Sequence, residues 1–325
     1  MRQYSIMRLP TVLIFVLMCG CMRQNTEQSG VASPETATEK SIMSDGIQRT
    51  YLLYTPKTLD KTKKAPLLIV LHGGGGDGAP GMERLTKHGF NALAEQEGFV
   101  VAYPNAFEKH WNDGRQSRWR ASKENIDDVG FISNLIDGLS AELNIDEKRV
   151  YVTGASNGAM MSHRLACELS HKIAAFAPVM GAMPENLPQN CSPSASVPIL
   201  MINGVADPLV PWEGGDVHFG PLKLGRVLSV YDTVNFWVKR NDCSPTPTLT
   251  WEPDVDADDG IQVRREEYCR GLGGSKVILY AVEGGGHTWP GGLQYAPVWL
   301  VGKTSRDINA TEVIWDFLKK QRISD

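Results

Sequence analysis

Ser156 lies in Gly154-Ala155-Ser156-Asn157-Gly158, a G-x-S-x-G stretch. A serine hydroxyl is too weakly acidic to attack a carbonyl unaided, so a base must take its proton. His287 is the candidate base; it stands between Gly284-Gly285-Gly286 and Thr288-Trp289-Pro290-Gly291-Gly292. Asp207, in Gly204-Val205-Ala206-Asp207-Pro208, is the candidate acid that would hold the imidazole tautomer. Asp128 and Asp216 fit that role worse, because one precedes the serine and the other lies further from a strand end. The run His72-Gly73-Gly74-Gly75-Gly76 lacks the lysine of a phosphate-binding loop and the context of a dinucleotide fingerprint. It fits a loop that presents backbone N–H groups to an oxyanion, with Gly74 or Gly75 acting beside the Asn157 amide. His72 itself reads as a hydrogen-bonder under that loop.

These residues need elements to hold them. Residues 149–153 are β-branched and aromatic, the signature of a buried strand, and residues 159–169 have helical spacing of Met161, Leu165 and Leu169. Ser156 therefore sits on a strand-to-helix turn. Residues 66–71 form a continuous apolar strand running into the glycine loop, and residues 197–203 form another running toward Asp207. Further strands are predicted at 46–54, 99–104, 173–180 and 276–282, with a hairpin over 248–268. Helices are predicted at 86–97, 127–143, 225–239 and 310–320, the last with Asn309 as N-cap and Glu312 as its partner. Alternating strands and helices imply parallel βαβ units. The order of oxyanion loop, Ser156, Asp207 and His287 is that of α/β-hydrolases. The predicted fold is α/β, an α/β-hydrolase fold with a mostly parallel central sheet and helices on both faces.

The motifs H-G-G-G-G, G-A-S-N-G-A-M-M, N-G-V-A-D-P-L-V-P-W-E-G-G and G-G-G-H-T-W-P-G-G resemble the secreted polyhydroxybutyrate depolymerase and feruloyl esterase family, of the first carbohydrate-esterase type. The resemblance runs from about Gly46 to Phe317. It implies a carboxylic-ester hydrolase with Ser156, Asp207 and His287 as triad; no cofactor or metal is expected, since no C-x-x-C or H-x-x-x-H spacing occurs. The ester would be an acyl group on plant polysaccharide, feruloyl or acetyl, or a hydroxyalkanoate ester. The alternatives are a peptidase or acyltransferase with the same triad, or a non-catalytic surface-binding lipoprotein. Trp111, Trp212 and Trp289 are candidate substrate-binding residues. The loop over 105–125 is long and carries Trp111, Asn112, Asp113 and Trp119; its tryptophans either wall the substrate or pin the loop.

The N-terminus reads as an export signal. Arg2 and Arg8 precede the apolar run 11–18, which is too short to span a bilayer. Gly20-Cys21 after such a run resembles a bacterial lipobox, with Cys21 as the lipidated residue. The expected organisation is a signal over 1–20, a polar tether over 21–45 and one catalytic domain over 46–325, membrane-anchored through lipid and otherwise exported. In an oxidising compartment Cys167, Cys191, Cys243 and Cys269 suggest two disulfides. Sequence neighbours, Cys167–Cys191 and Cys243–Cys269, pair most simply among three connectivities, and the family resemblance implies the same pairs. The acidic turn at 254–260 has the wrong spacing for a calcium loop. The net charge of -4 and the lack of a basic stripe argue against a nucleic-acid partner.

Overall fold

The computed structural model of the protein describes residues 37–269 and 271–323. Twelve strands occur among them: β1 (Thr38–Ser44), β2 (Ile47–Tyr54), β3 (Ala65–Leu71), β4 (Val100–Pro104), β5 (Ile145–Ala155), β6 (Ala175–Val179), β7 (Ile199–Gly204), β8 (Gly215–Phe219), β9 (Leu222–Val227), β10 (Thr248–Trp251), β11 (Gln262–Tyr268) and β12 (Val277–Glu283). The helices are α1 (Ala79–Leu85), α2 (Gly89–Glu97), α3 (Arg120–Lys123), α4 (Asp128–Leu143), α5 (Asn157–Glu168), α6 (Val230–Arg240), α7 (Val298–Val301) and α8 (Ala310–Leu318).

Ten strands make one sheet in the order β1-β2-β4-β3-β5-β6-β7-β12-β11-β10. Its centre, from β4 to β12, is parallel, and both flanks are antiparallel. Every residue of β3 is buried, because helices cover both of its faces. Leu67, Ile69 and Leu71 point into a core with Phe131 and Leu135 of α4, Met161 and Leu165 of α5, and Trp237 of α6. Leu68 and Val70 point the other way, into a core with Phe90 of α2 and Ile314 and Trp315 of α8. The period-two alternation of a strand thus serves two cores at once.

Local chemistry sets the ends of these elements. The Asp127 side chain accepts the Gly130 N–H at 2.8 Å and caps α4, and Asn309 accepts the Thr311 N–H at 3.2 Å and caps α8. The Asn309 side chain also donates to Glu312 at 2.8 Å.

Three expectations are corrected. Residues 38–44 are not tether but edge strand β1, paired with β2 from Thr38↔Leu53 to Ser44↔Ile47. Backbone pairing, not side-chain burial, holds them, and five of their seven side chains are exposed. The helix predicted over 86–97 begins only at Gly89, as α2, because Lys87 and His88 take left-handed backbone angles, φ 53° and 56°, and the helix α1 before them was not predicted. The helix predicted from 225 begins at Val230; the residues before it close the small antiparallel hairpin β8–β9. The proposed lipid-bearing Cys21 lies outside the described residues. No helix among the described residues is long and apolar enough to cross a membrane.

Cys167 and Cys191 form a disulfide, with Cα atoms 4.8 Å apart. Cys243 and Cys269 do not; both are free thiols. Their backbones meet, since Ser244 N–H donates to Cys269 O at 3.1 Å. The Cys243 Sγ is instead directed at the Ser275 carbonyl, 3.5 Å away, and fills the space beside Gly271, where a Cβ would fall 2.8 Å from it.

Candidate active site

β5 ends at Ala155 and α5 starts at Asn157, so one residue must turn the chain. Ser156 does this at φ 55°, ψ -115°, a region that costs a non-glycine residue strain of order 1–3 kcal/mol. The neighbours make room. A Cβ on Gly154 would fall 2.5 Å from Gly158 O, and one on Gly158 would fall 2.5 Å from Leu71 O. Both positions therefore require glycine to let strand, helix and β3 approach. Ser156 N–H donates to Val179 O of β6 at 3.0 Å, which fixes the turn to the sheet. The side chain stands half-exposed above it.

Asp207 follows β7, and His287 follows β12, the next strand in the sheet. Two bonds, Val205 N–H to Val282 O and Ala206 N–H to Gly285 O, each 3.0 Å, zip the two strand ends together. Gly204 has no room for a Cβ, which would fall 2.5 Å from Gly285 O. This close approach brings His287 Nδ1 to 2.7 Å from Asp207 Oδ2. The other carboxylate oxygen accepts the Leu209 and Val210 N–H groups at 2.7 and 2.9 Å. Both side chains of the pair are buried, 5% and 2% exposed. Nδ1 therefore carries the ring proton when the imidazole is neutral, and Nε2 is left as the acceptor. No hydrogen bond joins Ser156 Oγ to His287; the two stand at the same C-terminal edge of the sheet.

The glycine loop after β3 abuts the start of α5. A Cβ on Gly74 would fall 3.5 Å from Asn157 Cβ. The Gly75 N–H is spent on Lys109 O at 2.8 Å, so Gly75 is withdrawn as an oxyanion donor and Gly74 remains. Asn157 N–H belongs to the first turn of α5, where backbone donors have no helical partner. His72 underpins the loop: its Nδ1 bonds Gly73 O at 2.6 Å and its Nε2 accepts the Ala106 N–H at 3.0 Å. Burial lowers its pKa to about 4, so it is a neutral strut.

The loop between β4 and α4 is fastened to this machinery. Asn157 accepts the Trp111 N–H at 2.8 Å and donates to Asp113 at 2.5 Å. Asp113 also pairs with the buried Arg115 at 2.8 Å. Further back, Asp128 accepts from Arg49 at 2.6 Å and from Asn112 N–H at 2.7 Å. Burial raises the Asp128 carboxyl pKa, against the opposing pull of Arg49 and the Asn112 amide. The hairpin β8–β9 closes on the same loop, because a Cβ on Gly225 would fall 2.8 Å from Arg115 O.

The three tryptophans singled out from sequence are buried. Trp111 is 1% exposed and donates its indole N–H to His72 O at 2.9 Å, so it pins the loop. Trp289 is fully buried edge-on to Phe90 and bonded to Thr311. Trp212 is nearly buried against Tyr231. Large apolar rings near a catalytic motif fill the floor as readily as the wall. Sequence reasoning missed His110, which stacks on Trp119 at 3.9 Å, and Tyr295, whose hydroxyl donates to His287 O at 3.1 Å. Burial, and then the Asp207 charge, raises the pKa of that tyrosine. No periodicity marks either residue.

Residues 49–186 match the family model described as esterase PHB depolymerase. "Putative esterase NocK" of Nocardia uniformis subsp. tsuyamanensis is 32% identical over 87% of this chain and 83% of its own. The chain belongs to this esterase family. It is also 32% identical to a bifunctional acetylxylan esterase/xylanase of Neocallimastix patriciarum and 29% identical to feruloyl esterase B of Piromyces equi. Those matches span 67% and 74% of this chain but only 30% and 42% of the relatives. Among solved structures, an acetyl xylan esterase from Aspergillus awamori superposes with TM-score 0.56 at 16% identity, covering 77% of this chain and 94% of that one. A thermostable esterase gives 0.55 at 17%, covering 88% and 63%. The architecture is the α/β-hydrolase fold, and the family is one of carboxylic ester hydrolases.

Proposed function

We propose that this esterase cleaves its ester through an acyl-enzyme on Ser156. The observation that carries the reading is the 2.7 Å bond from Asp207 to His287 Nδ1, which leaves Nε2 as a base at the edge where Ser156 is held in a strained turn. Ser156 Oγ attacks the ester carbonyl carbon as its proton passes to His287 Nε2. The carbonyl π electrons move to oxygen, which the Asn157 and Gly74 N–H groups stabilise; one such donor is typically worth ~3–4 kcal/mol. Asp207 stabilises the imidazolium. Collapse expels the alcohol, which takes the proton from Nε2. Water then adds to the acyl-enzyme by the same route and releases the acid.

The substrates are acyl esters of plant polysaccharide, feruloyl or acetyl, or hydroxyalkanoate esters. The family model and the names of the relatives support this class. The leader with Cys21 supports work outside the cytoplasm from a lipid anchor. The test is hydrolysis of p-nitrophenyl acetate, methyl ferulate, acetylated xylan and 3-hydroxybutyrate oligomers by the wild type and Ser156→Ala. The wild type should turn over at least one polysaccharide or hydroxyacyl ester, and the variant none. Full activity in the variant would overturn the assignment of the nucleophile.

A further inference from the structure

His110 is held in an unusual way beside the oxyanion loop. Two successive non-glycine residues before it, Glu108 and Lys109, take left-handed backbone angles of φ 45° and 65°. Strain of this kind persists only where surrounding contacts enforce it. Lys109 O takes the Gly75 N–H, Glu108 pairs with Arg120, and the His110 ring lies flat on Trp119, 3.9 Å away with 16° between planes. The ring reaches the oxyanion glycine: a Cβ on Gly74 would fall 3.1 Å from His110 Cδ2 and 3.5 Å from Nε2. Gly74 is thus pinched between His110 and Asn157.

The ring's two nitrogens have different surroundings. Nδ1 is 3.0 Å from Glu108 O, a pure acceptor, so Nδ1 carries the proton. Nε2 has no hydrogen-bond partner among the described residues, and both His110 and Trp119 are only half-buried. Burial, with Arg115 nearby, lowers the pKa of the ring, while Asp113 and Glu108 pull the other way. A neutral imidazole with a bonded Nδ1–H offers one lone pair to the open side.

We propose that His110 is a specificity-determining residue whose Nε2 accepts a hydrogen bond from a hydroxyl on the ester, next to the oxyanion loop, with Trp119 backing the ring. This rests on the serine-esterase reading above and narrows its substrate class to hydroxyl-bearing esters. A phenolic or aliphatic hydroxyl of the acyl group and a hydroxyl of the alcohol beside the ester oxygen share this chemistry.

Matched pairs distinguish the two sources. Methyl 4-hydroxycinnamate against methyl cinnamate tests the acyl side, and 2-hydroxyethyl acetate against ethyl acetate tests the alcohol side. The readout is the ratio of kcat/KM within each pair for the wild type, His110→Phe and His110→Gln. One neutral hydrogen bond gives a ratio of ~3–10 in favour of the hydroxylated ester. The wild type should show it in one pair. His110→Phe keeps a ring to stack on Trp119 and removes the acceptor, so its ratio should fall to about one. His110→Gln restores an acceptor and should recover part of the preference; this rescue separates recognition from mere folding. Wild-type ratios of one in both pairs, or an unchanged ratio in His110→Phe, would overturn the proposal. Loss of the nucleophile assignment would show differently, as activity surviving in Ser156→Ala.

Discussion

Asp207→Asn is the sharpest perturbation of the proposed triad, because the surrounding amides dictate how the new side chain must sit. Leu209 and Val210 N–H both point at Oδ1, at 2.7 and 2.9 Å. An asparagine can satisfy them only by putting its carbonyl oxygen there. Its NH2 then occupies the place of Oδ2, 2.7 Å from His287 Nδ1. Two donors cannot share that line, so Nδ1 must become the acceptor and the ring proton must move to Nε2. The imidazole then presents N–H, not a lone pair, toward the serine side. Geometry survives and basicity is lost. The expected cost is ~10⁴ in kcat, about 5.5 kcal/mol of transition-state stabilisation. Stability should change by only about 1 kcal/mol, because both amide bonds to the side chain are kept. Steady-state hydrolysis of p-nitrophenyl acetate reads the first quantity and urea unfolding the second. Nitrogen NMR of the imidazole should show the proton on Nδ1 in the wild type and on Nε2 in the variant. A folded variant within tenfold of wild-type kcat would refute the tautomer argument.

Two further outcomes follow from buried groups. Asp128→Asn leaves Arg49, itself 4% exposed, without its carboxylate, and should destabilise the fold by roughly 3–5 kcal/mol in urea unfolding; a loss below 1 kcal/mol would contradict a buried pair that anchors the loop. His72 and His163 are held neutral by burial, with pKa values lowered to about 4 and about 3. Their unfolded value is about 6.5, so below it the unfolded chain binds more protons. Their contribution is complete above pH 6.5 and is lost as pH falls through 6.5 toward 4, with a slope of about 1.4 kcal/mol per pH unit for each. Urea midpoints at pH 6.5, 5.5 and 4.5 should fall accordingly, and a flat profile would count against both assignments.

Much of this molecule is legible in one dimension, and the reason is locality. The elbow is five consecutive residues whose glycines answer a close approach within the same turn, so Ser156 could be placed from Gly154 and Gly158. The order of strand ends carrying the glycine loop, Ser156, Asp207 and His287 follows from the alternation of apolar runs, because parallel strands put all their C-termini on one edge. The caps at Asp127 and Asn309 are equally local. Edge strand β1 escaped this reading, since its side chains are mostly exposed and only its ladder to β2 defines it.

What the sequence could not decide is which partner a given group finds across the fold. Gly74 and Gly75 are equivalent in the run, and only the arrival of Lys109 O removes one of them as a donor. Trp111, Trp212 and Trp289 look like a substrate wall beside catalytic motifs, yet the sheet, α6 and α8 bury them. Cys243 and Cys269 are sequence neighbours with touching backbones, but the Cys243 thiol is aimed at Ser275. His110 gains a role only because a strained loop folds its ring onto Trp119 and against Gly74. The sequence by itself determined where Ser156, Asp207 and His287 fall and the sheet edge that carries them, since these depend on local turns and strand order. The tertiary structure alone decided which donors stay free and which aromatic rings are buried, because those depend on packing between segments far apart in the chain.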